Sequence, residues 1–213
     1  MAYPRAPRRR PSDTELRPGA NLTRTDLSGA TLPEVDLSLA RLVEADLSMA
    51  NLAHGYLTDA MLRRATLRRA DLTKVRMSKA NFTRANLFEA VLVGTDMSET
   101  VLVGANLVGV DLTGADLSRA NLTGANLSGA ILSRAEMWGA NLAGANLSGA
   151  TLRRTDLWGA NLTGANLARA DLTEANLSGV AADGVDWYRA ILTDAVVLGA
   201  TGVPITEVPG PLV

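Results

Sequence analysis

The chain contains no cysteine, and its one histidine is His54. The first absence removes disulfides, thiolate metal sites and cysteine nucleophiles together. The second leaves too little imidazole for a histidine metal cluster, and one His cannot by itself build a Ser/His/Asp relay. No apolar run approaches the roughly 18 residues of a membrane helix. Neither sign of charge dominates, with 21 Lys and Arg against 22 Asp and Glu and a net charge of −1 over 213 residues. Bulk charge therefore points to no direct nucleic-acid partner. No Gly-x-Ser-x-Gly elbow, phosphate loop or dinucleotide fingerprint is present. The expectation is a protein without catalytic residues, cofactor or metal. Arg8-Arg9-Arg10 is not followed by an apolar stretch, so it does not read as an export signal, and the cytoplasm is the default location.

What is present is a repeat. From Ala20 to Gly199 the chain divides into 36 pentads without insertion or deletion. With positions counted from Ala20, position one is Ala in 26 of them, and position three is Leu in 29. Position two favours Asn and Asp, position four Ser and Thr, and position five Gly, Arg or an acid. A period of five cannot be a helical stripe, because at about 100° per residue successive leucines would visit every face. Nor can it be a plain strand, where an odd period alternates faces. Both signals are satisfied if positions one to three form a short extended piece with Ala and Leu on one side, and positions four and five turn a corner. Glycine at position five suits a turn that needs positive φ. Winding this unit places Leu along an axis, with small Ala where the walls lie close, and stacks coils at about 4.8 Å.

Repeats such as Ala120-Asn121-Leu122-Thr123-Gly124 closely resemble the pentapeptide-repeat proteins. The resemblance implies an all-β fold, a right-handed quadrilateral parallel β-helix with four pentads per turn and about nine coils, making a rod about 43 Å long. The expected organisation is a basic Pro/Arg-rich tail and cap over residues 1–19, the β-helix over 20–199, and an apolar tail or cap over 200–213. Ser12 and Glu15 have the spacing of a capping box. Near the far end Trp187 replaces a core Leu, and Tyr188, Ile191, Val196 and Leu198 stand where residues usually face water. An open β-helix end must be covered. The C-terminal tail is one candidate cover; the resemblance supplies another, a homodimer formed through the C-terminal coils.

With twenty residues per turn, side chains twenty apart stack, and like charges about 4.8 Å apart repel by about 0.9 kcal/mol in water. Columns should therefore alternate in sign. Asp59, Lys79, Glu99 and Arg119 do; Glu44 lies beneath Arg64, and Arg69 beneath Glu89. The basic belt from Arg63 to Lys79 thus reads as inter-coil ladders before it reads as an anion site. One column on the fourth face breaks the rule, with Asp96, Asp116, Glu136 and Asp156 in succession. Its counterpart on the second face is mostly Asn86, Asn106, Asn126, Asn146 and Asn166, which can join by amide hydrogen bonds. Beside the acids, Trp138 and Trp158 lie one coil apart where Ser or Thr is usual. They are candidates for mutual stacking or for interface anchors. These six residues are the candidate partner-binding strip. Since carboxylates on a convex rod do not make a concave catalytic pocket, the reading is a non-enzymatic protein that presents its faces to another protein. The resemblance adds an alternative: members of the Qnr and MfpA type mimic DNA and bind DNA gyrase, which makes a type II topoisomerase one candidate partner.

Overall fold

A computed structural model describes residues 9–204 of the chain. The sequence readings that concern residues 1–8 and 205–213 lie outside the described residues. Each pentad holds its backbone in the same way. The Leu22 N–H donates to Arg41 O at 2.8 Å, the Arg41 N–H to Ala20 O at 2.8 Å, and the Arg24 N–H to Val43 O at 2.9 Å. Positions two, three and five therefore bond to the coils on either side. The position-one N–H turns back within its own chain segment, as Thr25 does to Leu22 O at 3.2 Å, and closes a corner. Every position-two residue from Asn21 to Ala181 forms a parallel bridge with the residue twenty further on. Four pentads thus complete one turn, and the molecule is a four-sided parallel β-helix with faces headed by Asn21, Asp26, Thr31 and Asp36.

One N–H per pentad, that of position four, has no backbone acceptor. Where position two is Asn or Asp, its side chain supplies one. The Asn121 Oδ1 accepts the Thr123 N–H at 3.1 Å and the Thr123 hydroxyl at 2.6 Å, and Asp111 does the same for Thr113 at 3.0 and 2.6 Å. This Asx turn explains the preference for Asn or Asp followed two residues later by Ser or Thr, since a short side-chain carbonyl reaches that N–H without strain.

The corner makes a stricter demand than glycine content alone suggests. Positive φ is taken by every position-five residue, including 21 non-glycine residues with φ between 54° and 62°. Closing the turn while pairing the position-five N–H with the next coil leaves no other conformation. A non-glycine side chain there costs about 1–2 kcal/mol. The interior offsets it: Leu22, Leu122 and most of their equivalents are fully buried, with Ala beside them, and each buried leucine contributes about 1.5–3 kcal/mol. Where Thr replaces Ala inside, its hydroxyl finds a carbonyl. Thr25, Thr95 and Thr100 bond to Leu22 O, Leu92 O and Met97 O at 2.7–2.8 Å.

The two ends differ. At the start, a 3-10 turn over Asp13–Glu15 is held by the capping-box pair, the Ser12 N–H donating to Glu15 Oε2 at 2.8 Å. The Asp26 N–H reaches Arg9 O at 2.8 Å, and Leu16 packs against the core. At the other end Val185, Trp187, Leu192 and Val197 are only partly buried. Trp187 bonds through Nε1 to Gly202 O at 2.9 Å, and Val203 packs against the core beside it. Among the described residues no helix is long and apolar enough to cross a membrane.

Candidate interaction surface

The fourth face brings the acidic column together. Asp96, Asp116, Glu136 and Asp156 are bridged in succession, which sets them about 4.8 Å apart. Their carboxylates are not equivalent. One oxygen of each aspartate is committed to its own corner: Asp96 Oδ1 accepts the Ser98 N–H at 3.1 Å and hydroxyl at 2.7 Å, Asp116 Oδ1 accepts the Ser118 N–H at 2.8 Å, and Asp156 Oδ1 accepts the Trp158 N–H at 3.0 Å. Asn176 caps the column by donating its amide to Asp156 Oδ1 at 2.8 Å. Glu136 is a methylene too long for an Asx turn, and it is exposed. Structural demand thus accounts for an acceptor at 96, 116 and 156. It does not account for the negative charge, since asparagine serves the same corner elsewhere.

Trp138 and Trp158 occupy position four of the same face, in a column otherwise filled by Ser or Thr up to the last coil, where Leu198 stands. No ring contact joins the two indoles, so the expected mutual stacking is absent. Instead the Arg119 guanidinium lies 4.7 Å from the centroid of Trp138, an arrangement that contributes about 0.5–1 kcal/mol at an exposed site. This half-covers Trp138 and leaves Trp158 with 56% of its surface exposed. The corner beyond both indoles is glycine in four successive coils, Gly139, Gly159, Gly179 and Gly199. Among the described residues no side chain shields the Trp158 ring from that side.

The charge columns behave only partly as the sequence suggests. Arg69 pairs with Glu89 at 2.7 Å, and Glu44 is bracketed by Arg24 at 2.9 Å and Arg64 at 3.8 Å. Asp59, Lys79, Glu99 and Arg119 alternate in sign, yet among the described residues no ion pair joins them. Arg119 has turned to Trp138, and Arg76 and Arg68 lie over Tyr56 and Phe88 at 5.4 and 5.0 Å. Aromatic faces one coil away thus compete with acids for the long cationic side chains. The asparagine column forms pairs, Asn106 to Asn86 at 3.0 Å and Asn146 to Asn126 at 3.2 Å, on oxygens that also hold their own turns.

Of the residues singled out at the C-terminal end, Trp187 alone turns inward. Tyr188, Ile191, Val196 and Leu198 are lateral and exposed, Leu198 at 77%. Val196 and Leu198 lie on the fourth face, where apolar side chains return one coil beyond the polar Asn176 and Ser178. A feature the sequence reading passed over lies on the third face, where Ile131 and Thr151 stand at position two in successive coils. Neither makes an Asx turn, and arginines crowd the adjoining corner. The repeat pattern does carry that signal, as two consecutive departures in one column.

Sequence comparison agrees with this geometry. Eight copies of the family described as pentapeptide repeats match the chain, in segments covering 20–54, 42–78, 56–87, 80–119, 120–159, 152–194 and 170–201. The chain is a pentapeptide-repeat protein. Its fold is the right-handed quadrilateral β-helix of that family. Among solved structures, the pentapeptide-repeat protein is similar to HetL, involved in heterocyst differentiation regulation in the cyanobacterium Nostoc sp. strain PCC 7120. Identity is 36% over 84% of this chain and 88% of that one, with a TM-score of 0.47. Rfr23 from the cyanobacterium Cyanothece 51142 is 40% identical over 42% of this chain and 62% of its own, with a TM-score of 0.42. A trypsin-treated form of QnrB1, a plasmid-mediated fluoroquinolone resistance protein, is 23% identical over 80% and 89%, with a TM-score of 0.48. No protein of curated function matches the sequence.

Proposed function

We propose that this pentapeptide-repeat protein is a non-enzymatic interaction protein of the cytoplasm that docks another protein against its fourth face. The observation that carries this reading is the exposure of Trp158. Ser98, Ser118 and Ser178 fill the same column without loss of the corner, so the fold has no need of an indole there. An uncovered Trp beside outward carboxylate oxygens and a bare glycine corner has the composition of a binding centre, an aromatic anchor with a polar rim. Affinity capture from the native cell tests it. The full chain should retain a partner that Trp138→Ala with Trp158→Ala releases, while Asn106→Ala on the second face retains it. Equal capture by all three overturns the reading.

The uninterrupted acidic column favours a second reading, a DNA mimic that binds DNA gyrase and so inhibits or protects it. The column presents one carboxylate per about 4.8 Å, against one charge per about 1.7 Å of duplex. Arg134 and Arg154 occupy the adjoining corner, so the first reading is preferred. Gyrase supercoiling that is unaltered by micromolar protein, with and without a quinolone, removes the second. A homodimer through the C-terminal coil is compatible with either, since its core is only half covered by residues 200–204.

A further inference from the structure

On the third face, Thr113, Ser133, Arg134, Arg153 and Arg154 line a depression of about 310 Å³. Arg134 and Arg154 are corner residues twenty apart, and stacked like charges repel by about 0.9 kcal/mol in water. Arg153 and Arg154 are each fixed from the C-terminal side, Arg153 by Asp171 at 3.0 Å and Arg154 by Glu174 at 2.7 and 3.1 Å. Both acids respond. Burial raises the Asp171 carboxyl, but the Thr173 hydroxyl and N–H and the Arg153 guanidinium outweigh it and leave it below the ordinary range. The Arg154 hydrogen bonds hold Glu174 below its ordinary value. Arg134 has no acidic partner among the described residues; Glu136, two residues along on the next face, lies outside ion-pair distance. Of its three guanidiniums two are held by carboxylates and that of Arg134 is not, while the Asp111 carboxylate at the edge accepts from Thr113.

Its floor is equally unmatched. In most pentads the position-four N–H is spent on the Asx side chain at position two, as Thr113 is on Asp111 at 3.0 Å. In the next two coils position two is Ile131 and Thr151, and among the described residues neither the Ser133 nor the Arg153 N–H has an acceptor. These donors have the place and direction of the N–H that Asp111 binds, so they point outward from the face. Among the described residues the Ser133 hydroxyl likewise has no partner, whereas that of Thr113 is given to Asp111. A missing acceptor in two successive coils and an unpaired arginine coincide in one depression.

The geometry points to a binding site for a phosphoryl dianion, held between the Arg134 guanidinium and the N–H groups of Ser133 and Arg153. Donors on two coils and a corner arginine call for more oxygens than the two of a planar carboxylate, and a doubly charged anion relieves the repulsion between Arg134 and Arg154. The ion could be free phosphate or the phosphate ester of a small molecule. Backbone amide NMR of the full chain, titrated with inorganic phosphate or with glycerol phosphate against chloride at constant ionic strength, decides. Saturable shifts centred on the Ser133 and Arg153 amides are expected, and the tighter-binding probe identifies the source. Ile131→Asp restores the acceptor found one coil earlier at Asp111 and so keeps the fold, but places a carboxylate in the site. Arg134→Gln removes a cation that makes no ion pair. Each variant should weaken binding by about tenfold or more, the loss of one charge-assisted contact. Shifts equally large with chloride, or unchanged in both variants, overturn the proposal.

Discussion

Where position two is asparagine or aspartate, it supplies the acceptor that the pentad's backbone lacks, and this divides the molecule's residues into those the fold requires and those it merely tolerates. Asn121→Ala should lose about 1 kcal/mol by orphaning the Thr123 N–H, whereas Asn121→Asp keeps the oxygen; denaturant unfolding of the two variants separates them. Leu122→Ala empties a fully buried position and should cost about 2–5 kcal/mol. Thr123→Ala removes only a hydroxyl whose turn is held by its own N–H, and should stay within about 0.5 kcal/mol. The same division isolates function from fold on the fourth face. Asp96→Asn, Asp116→Asn and Asp156→Asn together preserve every corner and relieve the column's repulsion, so the triple variant should melt no lower than the parent. A lower melting temperature would mean that the charges themselves serve the fold. If the variant then fails to capture the partner, the charge is what the partner reads.

At the scale of the corner and the cap, conformational cost and pairing decide. Gly124 has φ 62° and open space around its Cα. Gly124→Ala should therefore destabilise by about 1 kcal/mol, the left-handed penalty less the entropy gained by stiffening the unfolded chain. The N-terminal cap carries a pH signature. Hydrogen bonds from Arg9, then from Ser12, lower the Glu15 carboxyl to about 2. A depressed carboxyl contributes stability that is present above its unfolded value near 4.5 and lost as pH falls through 2. The cap should accordingly persist to pH 3, and an NMR titration that found Glu15 protonating near 4.5 would show the Arg9 contact to be absent in solution. The elements were legible to different depths. The fivefold spacing of Leu22, Leu27 and their successors gave the corner and the core directly, because turn closure repeats in every pentad and burial in nearly all of them. The positive φ of Arg24 or Glu44 was hidden, since the fold imposes it regardless of residue. The partners of Arg119 and Arg76 were hidden too, because a column shows which charges are neighbours but not that an indole or phenol lies nearer.

At the scale of the rod, and among the described residues, the fourth face and the C-terminal coil are the surfaces with apolar groups left uncovered. Light scattering should give a mass of twice 22.3 kDa if the half-covered end seats a second copy, and Val196→Asp with Leu198→Asp should return the monomer should the lateral apolar residues contribute. The candidate strip was visible in the sequence as a column of like charges beside two tryptophans. What the sequence withheld was that the aspartates are half spent on their corners and that Arg119 covers one indole, which moves the weight of the site onto Trp158. Hydrogen exchange of the chain bound to its captured partner measures this most directly. Protection gained on binding should centre on residues 136–140 and 156–160 and leave the second face unchanged. Protection confined to the basic belt at 63–79, or to the last coil alone, would contradict the assignment of the fourth face as the binding surface.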